Sequence, residues 1–459
     1  MKTYQDFLKI DKSEKALIDF IYTAIGDHKS SDLYKEAEIA YDYDKHKNRT
    51  ISEFKRLLYT VSGAAVPDNY SANWKMASNF FNEFTTQENQ YLLGNGVTWQ
   101  NEATKKKLGE DFDVRLQDLG HDALVGAVAF GFFNMDHLQT FKVTEFAPLY
   151  DEENGAMMAG IRFWQIEQSR PLRATFYQLD GYTEFIWKEG KGEILKEKQP
   201  YIIKTVTSEA DGTEIYDFEN YPSFPIVPLW GNKNHQSELI GRREQIDCYD
   251  LIKSGFANDV DDASLIYWTI QNNGGMDDID LAKFIERMKT LHAATVDSDA
   301  GTAVESHTVD VPSEGREKLL DRIRADLYED FMALDTKNLA SGAVTATQIK
   351  AAYEPLNGKT DGFEYCVIEF LYDILRLAGV DNDKPTFTRS VIVNKQEELQ
   401  TLMQAAPYLT PEYMTKKILT LFGDADAADE MLKNLESNEL ERFNITQNAP
   451  ESNETEPAE

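Results

Sequence analysis

The stretch Leu339-Ala340-Ser341-Gly342-Ala343-Val344-Thr345-Ala346-Thr347-Gln348-Ile349-Lys350 decides how this chain is read. It is a run of small residues lodged between two long helical patterns. Before it, Leu320, Ile323, Leu327, Phe331 and Leu334 recur at three- and four-residue steps. That is the spacing of one buried helix face, and it predicts a helix from about Glu314 to Asp335. After it, Ile349, Tyr353 and Leu356 resume such a face. A break is expected at Pro355-Leu356-Asn357-Gly358, beyond which Phe363, Val367, Phe370, Ile374 and Leu377 carry the face further. Ser341-Gly342 reads as a stop, because glycine has no steric penalty at positive φ. Thr345 reads as a restart, because its hydroxyl can cap the next helix.

Working outward, Leu239, Ile246, Tyr249, Ile252, Phe256, Val260 and Ala263 form a second long stripe and predict a helix from Gln236 to about Leu265. Its other faces carry Arg242, Arg243, Glu244, Asp247, Asp250, Lys253, Asp259, Asp261 and Asp262. Residues 267–311 read as a small insertion: Tyr267-Trp268-Thr269-Ile270, a turn at Gln271-Asn272-Asn273-Gly274-Gly275, a helix from Ile279 to Met288, and extended pieces up to Val311. Two long helices thus flank one turn-rich insertion.

Nearer the N-terminus, Leu17, Phe20, Ile21 and Ile25 make a short helical face, and Ser52–Tyr59 and Trp74–Phe84 read as helical, with Met76, Phe80 and Phe84 on one side. Gln90–Trp99 reads as a helix end closed by Gly94, then an extended piece. Phe112–Gly126 predicts a helix and Ala127–Met135 a strand. The aromatic, β-branched segments from Val143, Ile161, Ala174 and Tyr182, separated by turns such as Glu153-Asn154-Gly155 and Asp180-Gly181, predict a hairpin-rich antiparallel sheet. Three prolines in Tyr221–Trp230 exclude helix and central strand there. Beyond Gly379, an extended element from Pro385 and helices at 395–405, 411–422 and 427–435 are expected, with Asn394 and Thr410-Pro411 as start signals. From Glu436 the chain is polar and acidic, a composition of disordered tails.

Composition bounds function. The chain has 459 residues, 42% hydrophobic and 12% aromatic, enough for two to four structural units. No apolar run long enough to span a bilayer occurs, and the start lacks the apolar stretch of a secretory signal. Cys248 and Cys366 form no CxxC pair, which disfavours a disulfide framework and fits synthesis in a reducing cytoplasm. The net charge of −32 argues against a tight nucleic-acid binder built on a basic patch. It fits either a solubilising surface or one that faces DNA without adhering to it.

Motifs of catalysis are missing. Gly358-Lys359-Thr360 resembles the end of a phosphate loop, but Tyr353 stands where its first glycine is required. Gly94-Asn95-Gly96 lacks a third glycine. Asp297-Ser298-Asp299 and Asp424-Ala425-Asp426 open like calcium loops and then lose the necessary glycine and ligand. His28, His46, His121, His137, His235, His292 and His307 show no metal-binding spacing, and no nucleophile elbow is present. The sequence therefore points to no catalytic residue, no metal and no cofactor. A carboxylate-dependent hydrolase remains one alternative, given 79 acidic residues, and a non-ring virion structural adaptor another.

The order of elements resembles the portal (connector) proteins of siphophage-type tailed bacteriophages over residues 50–435. Tyr91-Leu92-Leu93-Gly94-Asn95-Gly96-Val97 is similar to an N-terminal element of that family, with Gly96 where proline is usual. Ala129–Met135 followed by Phe146-Ala147-Pro148-Leu149-Tyr150-Asp151 is similar to its strand and proline-tyrosine passage. Phe224–Lys233, Ser237–Ile240 and Gln245–Ser254 resemble the entry to its first stem helix, and Ser341–Lys350 its tunnel loop and the start of its wing helix. The resemblance implies an α+β portal fold. Residues 1–235 would be the wing, 236–266 the first stem helix, 267–312 the clip and 313–336 the second stem helix. Residues 337–346 would be the tunnel loop, 347–393 a long kinked wing helix with a short strand, 394–436 a helical crown and 437–459 an acidic disordered tail.

It further implies a homo-oligomeric ring, usually a dodecamer, at one capsid vertex of the virion, assembled in the host cytoplasm. Double-stranded DNA would pass through it without sequence specificity. Lys337, Asn338, Leu339, Ala340, Ser341, Gly342, Ala343, Val344 and Thr345 would line the constriction. Gln271, Asn272, Asn273, Asp277, Asp278, Asp297 and Asp299 in the clip would face the terminase large subunit and the head-tail adaptor proteins. Major capsid and scaffolding proteins would surround the ring, and no membrane is involved.

Overall fold

The computed structural model describes residues 1–11, 13–59, 63–68, 73–207, 214–263, 267–271, 283, 303–307, 313–337, 345–380, 383–390 and 395–422. The chain divides into two units, Met1–Ala333 with Leu356–Ser390, and Leu334–Pro355 with Val391–Glu459.

The first unit opens with helices α1 (Tyr4–Leu8), α2 (Glu14–Ser30), α3 (Asp32–Asp44) and α4 (Arg49–Glu53), then strands β1 (Leu57–Tyr59) and β2 (Ala65–Pro67). Next come α5 (Phe80–Leu93), β3 (Val97–Thr98), α6 (Glu102–Leu108) and α7 (Phe112–Gly126). The sheet region runs β4 (Val128–Asn134), β5 (His137–Lys142), β6 (Phe146–Tyr150), β7 (Met157–Trp164), β8 (Leu172–Gln178), β9 (Gly181–Lys188), β10 (Lys191–Gln199), β11 (Ile202–Thr207), β12 (Glu214–Glu219) and β13 (Ile226–Trp230). Then follow α8 (Arg243–Ala263), β14 (Tyr267–Gln271), β15 (Ala303–His307) and α9 (Ser313–Asp330). Helix α10 (Ala346–Leu377) begins in the second unit and ends in the first, where β16 (Thr386–Phe387) pairs with β3.

Strands β6 to β10 form a five-stranded antiparallel meander, and α2 lays Phe20, Ile21, Ala24 and Ile25 against its Ile161, Phe163, Phe176 and Phe185. The larger core joins α5, α7, the three-stranded sheet β13-β4-β5 and α10, with Leu92, Leu119, Phe130, Val367 and Ile374 at its centre. The stripe predicted from Phe363 to Leu377 is the face that enters it. In the second unit, α10 carries its first turns, and α11 (Lys395–Ala405) and α12 (Pro411–Phe422) follow, joined by a short 3₁₀ turn. The Thr410 hydroxyl accepts from the Tyr413 N–H at 3.4 Å, as the Thr-Pro start signal predicted. The helix expected at 427–435 and the acidic tail fall outside the described residues, as does the helix expected at 279–288 except for Lys283, which is helical.

Several expectations are corrected. Trp74–Asn79 is not helical, and α5 begins only at Phe80. Ser52–Tyr59 is not one helix either: α4 stops at Glu53 and Leu57–Tyr59 pairs as a strand with Ala65–Pro67. The helix expected from Gln236 starts at Arg243, because Gly241 adopts φ +79° and the Ser237 hydroxyl accepts from the Leu239 N–H at 3.2 Å in a turn instead. No break occurs at Pro355; α10 continues through it, with the stripe buried on both sides at Tyr353 and Leu356. Pro228 does lie in a strand, but in β13 at the edge of its sheet, where the missing N–H is tolerated. Helix α9 ends at Asp330 rather than Asp335. Met332 there takes φ +52°, and the Ala333 N–H donates to the Tyr328 carbonyl at 2.9 Å, a Schellman closure.

Candidate functional site

The loop that decided the sequence reading is anchored by the residues on either side of it. Lys337 is exposed, and its backbone N–H donates to Asp335 Oδ1 at 3.1 Å. On the far side, Thr345 Oγ1 accepts from the Gln348 N–H at 3.3 Å while Gln348 Oε1 accepts from the Thr345 N–H at 3.0 Å. This reciprocal capping box fixes the restart at Ala346. Asn338, Leu339, Ala340, Ser341, Gly342, Ala343 and Val344 lie outside the described residues. Gln271 closes β14 opposite Ala303 in an antiparallel pair. Asn272, Asn273, Asp277, Asp278, Asp297 and Asp299 also lie outside. Of the residues read from sequence, the structure thus places Lys337 and Thr345 beside one loop and Gln271 at the end of one hairpin strand.

The densest polar chemistry is where the sequence reading passed it over. Lys359, whose phosphate-loop reading failed, is largely enclosed, its side chain 11% exposed, with its Nζ 2.6 Å from Glu88 Oε2 and 3.0 Å from Glu238 Oε2. Glu88 comes from α5, and Glu238 from the turn before α8. Glu238 also meets Arg242 Nη1 at 3.1 Å and accepts from Asn232 Nδ2 at 3.0 Å. Arg242 Nε donates to the Asp330 carbonyl at 3.0 Å, at the end of α9. Phe331, the next residue, lies under both cations, 4.7 Å from Arg242 and 5.7 Å from Lys359, and its ring is 4.7 Å from Phe84. Burial pushes the Glu88 carboxyl up to about 7 against the pull of Lys359, with Glu238 adding to the rise. Burial acts on Glu238 too, but Lys359 and Arg242 outweigh it and hold that carboxyl below its usual range. For Lys359, the two carboxylates outweigh burial and raise the ammonium's pKa. A signal existed in the sequence. Lys359 stands three residues after Leu356 and four before Phe363, on the buried stripe.

A second polar array runs along α8. Residues 74–78 lie extended and antiparallel to it. The Ser78 N–H donates to Asp250 Oδ1 at 2.9 Å, the Met76 N–H to Ser254 Oγ at 2.9 Å, and the Trp74 N–H to Asn258 Oδ1 at 2.7 Å. The Trp74 indole N–H reaches Asp261 Oδ2 at 2.7 Å. Asp250 is fully buried, also accepts from Asn48 Nδ2 at 2.8 Å, and has its pKa raised by burial. Among the described residues no cluster has the makings of a metal site, and no helix is long and apolar enough to cross a membrane.

These arrays are joints between elements, and none presents a nucleophile beside a base in a cleft. Comparison with known proteins gives the same direction. A family model described as phage portal protein, SPP1 Gp6-like, matches residues 27–440. The chain belongs to the phage portal protein family. Its α+β make-up of helices and antiparallel sheets is consistent with that family. Among similar proteins, the portal protein of Clostridium phage phiCD119 is 28% identical over 187 residues, covering 39% of this chain and 41% of that one. The portal protein of Bacillus phage SPP1 is 23% identical over 390 residues, 77% of this chain and 74% of the relative. The phage portal family is structural, which displaces the hydrolase alternative.

Proposed function

We propose that this chain assembles into a dodecameric ring at one vertex of a phage capsid and forms the channel through which double-stranded DNA enters and leaves. The family match over residues 27–440 carries the reading. In it, residues 1–235 form most of the wing, α8 and α9 are the stem, residues 267–312 the clip, 337–346 the tunnel loop and 394–436 the crown. The clip docks the terminase large subunit during packaging and head-tail adaptors afterwards. Capsid and scaffolding proteins surround the wing, and assembly takes place in the host cytoplasm. A net charge of −32 suits a conduit, since a channel that gripped phosphates would stall a moving duplex.

Particle imaging of the purified protein tests the assembly: a ring with an axial hole is expected, and a compact monomer sinks the proposal. The loop is tested by Gly342→Trp, scored as packaged genome length per particle alongside ring yield. Packaging should fail while rings form normally; full-length genomes with the bulky residue present would remove this loop from the channel. Replacing residues 271–310 with a short linker should leave rings intact but abolish packaging or tail joining.

A further inference from the structure

Helix α2, the β7–β8 turn and the β9–β10 turn enclose a cavity of about 770 Å³ at one end of the meander. Tyr22, Ile25, Gly26 and Lys29 form its helical wall, one face of α2 at three- and four-residue steps. The opposite wall is apolar. Leu172 and Trp187 stand opposite each other in β8 and β9, both on the α2 side of the sheet, and the Trp187 ring lies 6.0 Å from that of Tyr22. Tyr22 is nevertheless 57% exposed, so its ring is open to whatever enters. Gly26 lies inside α2, where glycine is among the least favourable residues, and a Cβ there would meet nothing within 4 Å. No described residue needs the room that this glycine leaves.

The rim is positive. Among the described residues that line the cavity, Lys29, Arg170 and Lys188 stand against one carboxylate, Glu189. Lys188 is answered by Glu193 at 2.9 Å. Lys29 and Arg170 have no acidic partner among the described residues, and Lys29 lies over the Phe163 ring at 5.2 Å instead. Arg170 is presented by a braced turn: its N–H donates to the Glu167 carbonyl at 2.9 Å, and its own carbonyl accepts from Gln165 Nε2 at 2.8 Å. Such a place stands out on a chain of net charge −32.

We propose that this cavity docks an acidic segment of a partner protein that carries one large apolar side chain. The apolar group fills the room over Gly26 against Tyr22 and Trp187, and flanking carboxylates meet Lys29 and Arg170 at the rim. Charge complementarity selects the class, and Trp, Tyr and Arg are the residue types that concentrate binding energy at protein interfaces. A nucleic acid would bring a continuous row of phosphates against a surface that is acidic overall, whereas a peptide needs only a few carboxylates at the mouth. The cavity belongs to one copy, so the reading does not depend on ring formation.

Isothermal titration calorimetry of the full chain tests it, with short peptides in which glutamates flank a phenylalanine or leucine. Binding should be measurable at or below about 1 mM, and raising salt from about 0.05 M to 0.3 M should weaken it several-fold. Gly26→Leu fills the cavity with a better helix former, so the chain should fold at least as well and bind about tenfold more weakly. Arg170→Glu, in an exposed turn, should also weaken binding and flatten its salt dependence. Peptides with lysine in place of glutamate should not bind. Absence of binding by the acidic peptides at about 1 mM overturns the proposal, as does binding that both variants leave unchanged. Equal affinity for a single-stranded oligonucleotide of the same charge would assign the cavity to nucleic acid. A change of oligomeric mass on Gly26→Leu would assign it to a second copy of the chain. Either result overturns the proposal.

Discussion

Glu88 falls four residues after Phe84 and four before Leu92, Lys359 falls between Leu356 and Phe363, and Asp250 falls four residues after Ile246. Each is a charged residue at an apolar-stripe position with partners; Glu88 and Asp250 are buried and Lys359 is largely enclosed. Their partners were not legible, because they come from 200 or more residues away in sequence for Lys359 with Glu88 and Asp250 with Asn48. Lys359→Met should cost about 3–5 kcal/mol in chemical denaturation, since it leaves two buried carboxylates without their shared cation. The pH dependence has a definite sign. Glu88 is raised from 4.5 to about 7, so its contribution to stability is complete below 4.5 and is lost as pH rises through 7. His28 acts oppositely: fully buried, bonded through Nε2 to the Val143 carbonyl and lowered from 6.5 chiefly by burial, it contributes above 6.5 and loses that contribution as pH falls. Glu88→Gln should therefore remove a counterweight of up to about 2 kcal/mol, so that stability falls more steeply from pH 7 to 5.5 than in the parent. An identical pH profile would refute this. Met332→Gly relieves a left-handed residue at the end of α9 whose side chain is exposed, and should raise stability by about 0.5–1 kcal/mol.

At the level of elements, stripes of three and four predicted most of α8, α9 and α10, because one wet and one dry face leave a direct trace in the sequence, while start signals at Asn394 and Thr410-Pro411 predicted α11 and α12. The meander strands from β6 to β9 were equally plain. The hairpin β11–β12 and strand β10 were not, since β10 alternates little and carries Lys191, Lys196 and Lys198 along an exposed edge. The four-residue spacing of Met76, Phe80 and Phe84 misled: Met76 belongs to the extended segment, and only the phenylalanines share a helix face. That segment is held by side chains of α8, which no local pattern reveals. Asp250→Ala should cost about 2–4 kcal/mol, because two donors, Asn48 Nδ2 and the Ser78 N–H, lose their acceptor in a buried place. Asn258→Ala, at the exposed end, should cost under about 1 kcal/mol. Equal losses by denaturation would show that burial does not grade the array.

For the molecule as a whole, composition ruled out classes and element order supplied the family, which the match over residues 27–440 establishes. The loop and insertion central to the functional reading were located by contrast with their flanks, and the flanks hold: the capping box stands at Thr345 and the paired strands at Tyr267–Gln271 and Ala303–His307. With a net charge of −32, self-repulsion works against the folded state, so raising salt from about 0.1 M to 0.5 M should increase the melting temperature. A decrease would mean that specific ion pairs outweigh the net charge.

The segment along α8 carries one more consequence. Its rungs step by two residues on one side and four on the other, so two rulers of different pitch are laid together. Extended backbone advances about 6.6 Å per two residues, and a helix about 6 Å per four. The mismatch grows by about 0.6 Å per rung, and a fourth backbone rung would be off by nearly 2 Å, beyond the reach of a hydrogen bond. After the three main-chain rungs on Asp250, Ser254 and Asn258, Trp74 adds a side-chain contact of its own, its indole N–H donating to Asp261 Oδ2. The segment measures its own length, and adding residues to it would lengthen the loop without extending the grip.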